Sequence, residues 1–391
     1  MRRHLFSTWY DALITLVFGG MAIWAVVALF RFLLAADFTI LRVNLTLFVL
    51  GAFPRDQLWR PSAAMLLIAL LVGTAAGAAR ASARDAAAAA GLPFRQTPPV
   101  EALRRFWPVL ALLAVLLLLT ETLTPTVLTL AVALIGVGAY RLGWVWPGRL
   151  RRALWTVLLV MPLAVYGVLA GFGGIGWQGW GGLHLNLFLS MAGILFAFPL
   201  GLLLALGRRS SLPAVRTISV AYVEFIRGVP LISLLLMGVF ALGFFLPVGL
   251  RPGGVTRVLV AITLFEGAYI AEVVRGGLQA VPKGQVEASQ ALGLSPWKTI
   301  RLIVMPQALR ATIPAMVGQF ISLYKDTTLV STVGLPDVLS TTQGVNSQPE
   351  FLAQGLERLT LPFAALIFWV GSYTMSREAR RLEKRLGVGE R

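Results

Sequence analysis

The feature that most constrains this chain is a series of apolar stretches, each about as long as one membrane crossing. A hydrocarbon core about 30 Å thick takes roughly 20 residues of helix, and these stretches contain few charges. They lie at about residues 13–34, 63–79, 106–119, 123–140, 153–171, 184–206, 229–246, 255–274, 307–324 and 359–375. With 57% hydrophobic and 13% charged residues, the chain departs from a soluble domain in both quantities. The sequence predicts an all-α integral membrane protein with about ten transmembrane helices.

The distribution of positive charge predicts how these helices are oriented. If both termini are cytoplasmic, the connecting segments on that side hold 25 Lys and Arg residues, and those on the other side hold 7. Positively charged connections stay in the cytoplasm, so this bias favours cytoplasmic termini over the reverse orientation. Topology and contact with membrane lipid therefore explain the net charge of +17, which requires no nucleic-acid partner.

The chain is predicted to divide near residue 180. Residues 1–180 form an N-terminal membrane extension with about five helices and no polar constellation inside a span. Residues 181–391 carry ionisable side chains within or beside apolar helices, where a charge is costly unless it is paired or faces water. The second part is therefore predicted to be the functional module. Its candidate translocation or gating residues are Glu224, Arg227, Glu266, Glu272, Arg275, Lys325 and Asp326.

Structural roles compete with functional ones at these positions. Two glutamates each precede an arginine by three residues and can pair with it along one helix: Glu224 with Arg227, and Glu272 with Arg275. Glu266 has no partner nearby in the sequence. A position that faces the translocation cavity and a purely structural position are equally compatible with it. Lys325 and Asp326 lie at the expected outer end of a helix, where a solvated pair is a simpler interpretation than a gate.

The polar segment at residues 281–306 is the most informative, and the charge count places it in the cytoplasm. Pro282 can open a short helix that ends before Gly293, which stands where a left-handed residue terminates a helix. Ser295 and Pro296 then provide an N-cap and a first helical position for a second short helix, to about Val304. Two short helices joined at a glycine make a projection suited to a groove on a soluble partner.

This segment resembles the EAA loop of the membrane subunits of bacterial ABC importers. In that pattern E-A-A is followed by three residues, G, nine residues and I-x-L-P. The spacing fits at every step, with serine for the second alanine and methionine for leucine. The matching residues are Glu287, Ala288, Ser289, Gly293, Ile303, Val304, Met305 and Pro306.

Three further blocks resemble the polar amino acid branch of the same family. They are YVEFIRGVP at 222–230, AYIAEVVRGG at 268–277 and LYKDTTL at 323–329. The resemblance covers about residues 184–386, and the long N-terminal part is similar to the longer permeases of general L-amino acid importers. It implies a five-helix ABC importer permease core over 181–391. The loop at about 281–306 is implied to couple this core to a cytoplasmic ATPase.

The resemblance also implies partners and a location. The partners are a cytoplasmic ABC ATPase dimer that binds ATP and magnesium, a second homologous permease with a heterodimer favoured, and a periplasmic amino acid binding protein. The location is the bacterial inner membrane. This chain is expected to have no catalytic, cofactor or metal site. The phosphate-binding pattern G-x-x-x-x-G-K-[ST] does not occur in the sequence, and the nearest approach, from Gly293 to Thr299, lacks the second glycine.

Other function classes fit less well. A permease for another small polar solute would share the loop and differ only in substrate. Ion-coupled transporters often show internal repeats with broken spans in both halves, but residues 1–180 hold no visible copy of the functional module. A membrane enzyme needs clustered His/Asp or Ser/His side chains, and this chain has two histidines and no cysteine. The amino acid importer is the favoured interpretation.

Overall fold

In the computed structural model of this protein, the described residues are 7–94, 104–120, 122–146, 148, 154–171, 173–176, 179–245, 247 and 252–387. The helices of the N-terminal part are α1 (Trp9–Ala35), α2 (Trp59–Ala89), α3 (Trp107–Leu118), α4 (Thr124–Val145) and α5 (Leu154–Ala170). Two short helical segments, Thr39–Val43 and Leu45–Leu50, lie between α1 and α2.

The second part continues as a series of helices with a few non-α turns. The helices are α6 (Gly182–Gly207), α7 (Pro213–Gly228), α8 (Leu231–Leu236), α9 (Gly254–Ala280), α10 (Lys283–Ala291), α11 (Pro296–Thr299), α12 (Met305–Asp326), α13 (Val338–Gly344) and α14 (Glu357–Leu386). The remaining helical segments are the π-helical Met237–Ala241 and Ile300–Val304, the 3-10 segments Thr327–Val333 and Val345–Ser347, and the four-residue helix Leu242–Phe245. The described residues of the predicted apolar stretches lie almost entirely in helix, which confirms the all-α prediction.

The helices differ in how well they suit a bilayer. Among the described residues, six helical stretches are long and apolar enough to cross it, and seven if α7 and the helix that follows form one bent span of 105°. Pro230 stands at that bend, where it restricts the residue before it and favours the end of α7. The remaining apolar helices are shorter, like α3 with 12 residues, or charged, like α9 with four ionisable side chains. The predicted number of ten is therefore approximate.

Glycines bring α2 and α4 into backbone contact. A Cβ atom added at Gly77 would lie 1.9 Å from the carbonyl oxygen of Tyr140, and one at Gly143 would lie 2.0 Å from that of Thr74. Small residues at such crossings allow the close packing that drives helix association in lipid. Any larger side chain at either glycine would separate the two helices.

Helix α9 is the centre of the second part, packed between α6 and α12. A Cβ at Gly201 of α6 would lie 2.6 Å from Ile270, and one at Gly277 of α9 would lie 2.6 Å from the Ala308 carbonyl oxygen of α12. The surrounding apolar cluster buries residues of α6, α7, α9 and α12 together. The ionisable side chains of α9 are thus carried into the middle of the module.

The N-terminal extension packs against this module. Phe53 and Leu169 share one hydrophobic cluster with Leu185 and Ile262 of the second part. The side-chain amides of Asn44 and Gln348 also bond to each other, with nitrogen–oxygen distances of 3.1 and 2.8 Å. Helix α1, by contrast, contributes no buried residue and presents its apolar side chains outward.

A buried polar network closes the end of the module at which α12 finishes. The carboxylate of Asp337, fully buried, caps α13 by accepting from the backbone N–H groups of Ser340 at 2.8 Å and Leu339 at 3.1 Å. Asn186 of α6 donates to the hydroxyl of Thr327 at 3.0 Å and accepts from the N–H of Val338 at 3.0 Å. The segment after α12 is therefore held against α6.

Candidate coupling loop and charged cluster

The first arm of the loop is α10, and its ends follow from local chemistry. Pro282 occupies the N-cap position. At the other end Gly293 has a φ of +72°, the left-handed region that favours glycine. The N–H of Leu294 donates to the carbonyl oxygen of Ser289 at 3.1 Å, and the N–H of Gly293 to that of Gln290 at 2.9 Å. This is the glycine-terminated helix end that the sequence predicted.

The second arm differs from the prediction. Ser295 does cap α11, accepting from the N–H of Lys298 at 3.5 Å. However, α11 leads through the π-helical turn Ile300–Val304 directly into α12, so a separate helix ending near Val304 is wrong. A proline excludes one backbone hydrogen bond and crowds the preceding turn, and the π-helical turn just before Pro306 accommodates it. The second arm is thus continuous with α12.

The two arms are joined at Ser289. This side chain is 3% exposed, and its hydroxyl lies 2.7 Å from the carbonyl oxygen of Val286 and 3.0 Å from the hydroxyl of Thr299. The serine that replaces an alanine of the family pattern therefore adds a buried hydrogen bond between α10 and α11.

The remaining motif residues mostly face solvent. Glu287, Ala288, Gly293 and Pro306 are exposed, and Ile303 is half-buried. Beside them three large apolar side chains are unusually open: Leu292 is 81% exposed, Trp297 63% and Leu302 58%. Apolar side chains concentrated on an otherwise polar loop are typical of an interaction surface.

A cluster of ion pairs lies at the end of the module that carries the loop. Glu272 of α9 is 3.0 Å from Arg208, 3.6 Å from Arg227 and hydrogen-bonded to Arg275, with an Nε–Oε2 distance of 3.0 Å. Arg208 also pairs with Glu224 at 2.8 Å. We call these five residues the charged cluster. It connects α6, α7 and α9 through one central carboxylate.

The charged cluster confirms one predicted pair and corrects the other. Glu272 does bond to Arg275 along α9. Glu224 pairs with Arg208 instead of Arg227, because α7 turns its charged face toward the end of α6 and the side of α9. Arg227 reaches Glu272 and lies 5.8 Å from the ring centre of Tyr269. Sequence analysis missed Arg208, which it counted only as a loop charge, since its partners lie 16 and 64 residues away.

The charged cluster and the loop are neighbours in space. Arg209 donates to the carbonyl oxygen of Leu278, close to the end of α9, at 3.1 Å. A groove of about 500 Å³ separates residues 206–211 from the loop and is lined by Lys283, Gln290 and Trp297 among others. A displacement of the loop can therefore reach the ion pairs through the end of α9 and the turn after α6.

The other predicted residues lie toward the opposite end. Glu266 is 2% exposed, in the middle of α9. Asp326 is half-buried at the end of α12, and the neighbouring Lys325 is exposed. Glu266 and Glu272 stand six residues apart on α9, about 9 Å along its axis. The structure thus separates Glu266 from the charged cluster, and the part of Glu266, Lys325 and Asp326 in translocation stays a prediction.

The fold and these sites define a class of protein. It is a multi-pass helical membrane protein whose exposed loop is continuous with its core helices, which is the arrangement of a membrane transport component. Residues 197–388 match the family described as "Binding-protein-dependent transport system inner membrane component". The glutamate/glutamine/aspartate/asparagine transport system permease protein BztC of Rhodobacter capsulatus is 38% identical over 365 residues, 90% of this chain and 79% of that protein. The chain belongs to this family of ABC transporter permeases.

Two further similarities have narrower coverage. The inner membrane amino-acid ABC transporter permease protein YhdY of Escherichia coli (strain K12) is 45% identical over 239 residues, 61% of this chain and 65% of that protein. A crystal structure of an amino acid ABC transporter with histidines aligns with 51% of this chain and 90% of its own at 29% identity, with a TM-score of 0.46. The similarity to the Rhodobacter permease, at 90% of this chain, also extends into the N-terminal extension.

Proposed function

We propose that this chain is the permease of an ATP-driven importer of polar amino acids. The relatives named above are described as amino-acid permeases, and the blocks at 222–230, 268–277 and 323–329 resemble the polar amino acid branch. The observation that carries the proposal is the exposed loop with its left-handed Gly293 and its open Leu292 and Trp297. An exposed apolar projection of this kind fits a groove on a soluble partner.

In this proposal the loop transmits movement from an ATPase to the membrane helices. Its first arm continues from α9 through Pro282, and its second arm is continuous with α12, so a push on the loop tilts both helices. The charged cluster then moves with α9, because Glu272 holds Arg208 and Arg227 from α6 and α7. Closure of the ATPase on ATP thereby changes how α6, α7, α9 and α12 pack around the translocation path.

The proposed assembly places this chain in the bacterial inner membrane with both termini and the loop in the cytoplasm. A cytoplasmic ABC ATPase dimer binds ATP and magnesium, and this chain binds neither. A second, homologous permease completes the pathway, with a heterodimer favoured. A periplasmic binding protein delivers the amino acid to the opposite face.

Reconstitution in proteoliposomes tests this function. With the second permease, the ATPase and the binding protein, uptake of polar L-amino acids is expected to require ATP, and this chain alone is expected to accumulate none. Uptake driven by an ion gradient without the ATPase would instead establish an ion-coupled transporter. ATP-dependent uptake of a different small polar solute would support the assignment as a permease but would show that its substrate is not an amino acid.

A further inference from the structure

A basic groove lies where the polar end of α14 meets the start of α3, away from the coupling loop. Its lining consists of Trp107 of α3 and five side chains of α14: Tyr373, Arg377, Arg380, Arg381 and Lys384. Its volume is about 470 Å³, within the range of ligand-binding clefts. The groove therefore combines four cations with two aromatic rings, and none of its lining residues is a carboxylate.

The groove lies just beyond the apolar stretch of α14. Helix α14 has 30 residues and is about 45 Å long, which exceeds a hydrocarbon core of about 30 Å. Its apolar stretch ends near Met375, and its charged part begins at Arg377. Trp107 is 48% exposed, and Tyr373 stacks on Trp369 with ring centres 5.0 Å apart. Tryptophan and tyrosine concentrate at the membrane–water interface.

Most of the positive charge in the groove is uncompensated. Glu378 accepts hydrogen bonds from Arg105 and from Arg381, the latter at 2.7 Å. Within the described part of the chain, the other three cations of the groove form no ion pair with a carboxylate: Arg377, Arg380 and Lys384. Three cations gathered on one face of a helix repel one another unless an anion is bound between them.

An apolar slot adjoins the basic groove. It has a volume of about 290 Å³, lies between α12 and α14, and shares Arg381 with the groove. Its apolar lining comes from Val317 and Phe320 of α12 and from Met375 and Leu382 of α14, and the ion-paired side chains of Arg105, Glu378 and Arg381 complete it. A cationic groove that adjoins an apolar slot matches a molecule that carries a phosphate at one end and a hydrocarbon chain at the other.

We propose that this groove binds the phosphodiester headgroup of an anionic membrane lipid, with one acyl chain along the apolar slot. Guanidinium groups bind phosphate oxygens in a bidentate manner, which suits Arg377 and Arg380. A soluble phosphate or an acidic protein segment would bind to the cations of the groove but would not fill the apolar slot. The bound lipid would join α3 of the extension to α12 and α14 of the permease module.

Native mass spectrometry of the purified full-length chain can test the site. The chain is titrated separately with phosphatidylglycerol and with phosphatidylcholine of the same acyl chains. The variant Arg377→Gln/Arg380→Gln is compared with Arg141→Gln/Arg216→Gln, which removes two exposed arginines elsewhere. Each Lys or Arg near an anionic surface contributes about fivefold, so the first variant is expected to bind phosphatidylglycerol about 25-fold more weakly. The second is expected to bind like the wild type.

Two further arms identify the ligand and exclude misfolding. Arg377→Lys/Arg380→Lys keeps the charge and is expected to retain intermediate affinity, and unchanged thermal unfolding of all variants shows that they are folded. Soluble glycerol 1-phosphate at millimolar concentration is expected not to displace the lipid. Equal binding of both lipids by the wild type, an unchanged affinity in Arg377→Gln/Arg380→Gln, or displacement by glycerol 1-phosphate would each overturn the proposal. The readout involves no transport, so its outcome is independent of the proposed importer function.

Discussion

Substitution of Gly293 by aspartate is the sharpest test of the coupling loop. The glycine has a φ of +72°, and a Cβ atom there would meet nothing within 4 Å. A side chain is therefore sterically tolerated and costs only the strain of the left-handed conformation, about 1–2 kcal/mol at most. The new carboxylate would stand next to Leu292 and near Trp297, on the surface proposed to enter the ATPase groove. Burying this carboxylate there unpaired is expected to cost at least about 1.4 kcal/mol of the free energy of docking, which is a tenfold weaker affinity of the loop for the ATPase.

The chain offers a closely matched control at Gly91. This glycine ends α2 on the same predicted side of the membrane, with a φ of +67° and nothing within 4 Å of an added Cβ. Its surroundings repeat those of Gly293, because the N–H of Leu92 donates to the carbonyl oxygen of Ala87 at 2.9 Å, five residues back. Gly91→Asp therefore carries the same backbone strain and the same charge without touching the loop.

Both variants are to be compared with the wild type in the complete importer. The measurements are membrane abundance, ATP-dependent uptake, and co-purification and stimulation of the ATPase. Both are expected to be inserted at normal abundance, with uptake at least about tenfold lower in Gly293→Asp alone. If Gly293→Asp transported as fast as Gly91→Asp, with a normally bound and stimulated ATPase, this loop would not be the coupling element.

Three further predictions concern topology, the charged cluster and the loop. Cysteine introduced at Ser347 should react with an impermeant thiol reagent from outside, whereas cysteine at Gln285 should not; the opposite pattern would reverse the orientation. Glu272→Ala removes the partner of three arginines and should lower stability by about 1–3 kcal/mol, seen as a lower melting temperature, whereas Glu224→Ala, at an exposed pair, should cost under about 1 kcal/mol. Glu287→Ala should reduce uptake at normal membrane abundance, and unchanged uptake would remove this carboxylate from the docking surface.

Local chemistry explains what could be predicted about the loop. Pro282, Gly293 and Ser295 each act on backbone groups within a few residues, so their effects can be deduced without knowing the fold. The prediction failed at Pro306, where a π-helical turn let the helix continue. A proline in a sequence marks strain, but whether the chain ends the helix or widens one turn depends on what α12 packs against.

The sequence by itself determined the membrane class, the approximate helices and the position of the loop, because hydropathy and helix punctuation are properties of contiguous residues. Only the tertiary structure decided which charged side chains pair with each other. Arg208 joins Glu224 and Glu272 across 16 and 64 residues. Ion pairs form where side chains meet within about 4 Å, and that distance is set by how helices cross. Helix crossing in turn depends on glycines such as Gly201 and Gly277, whose neighbours lie far away in the chain.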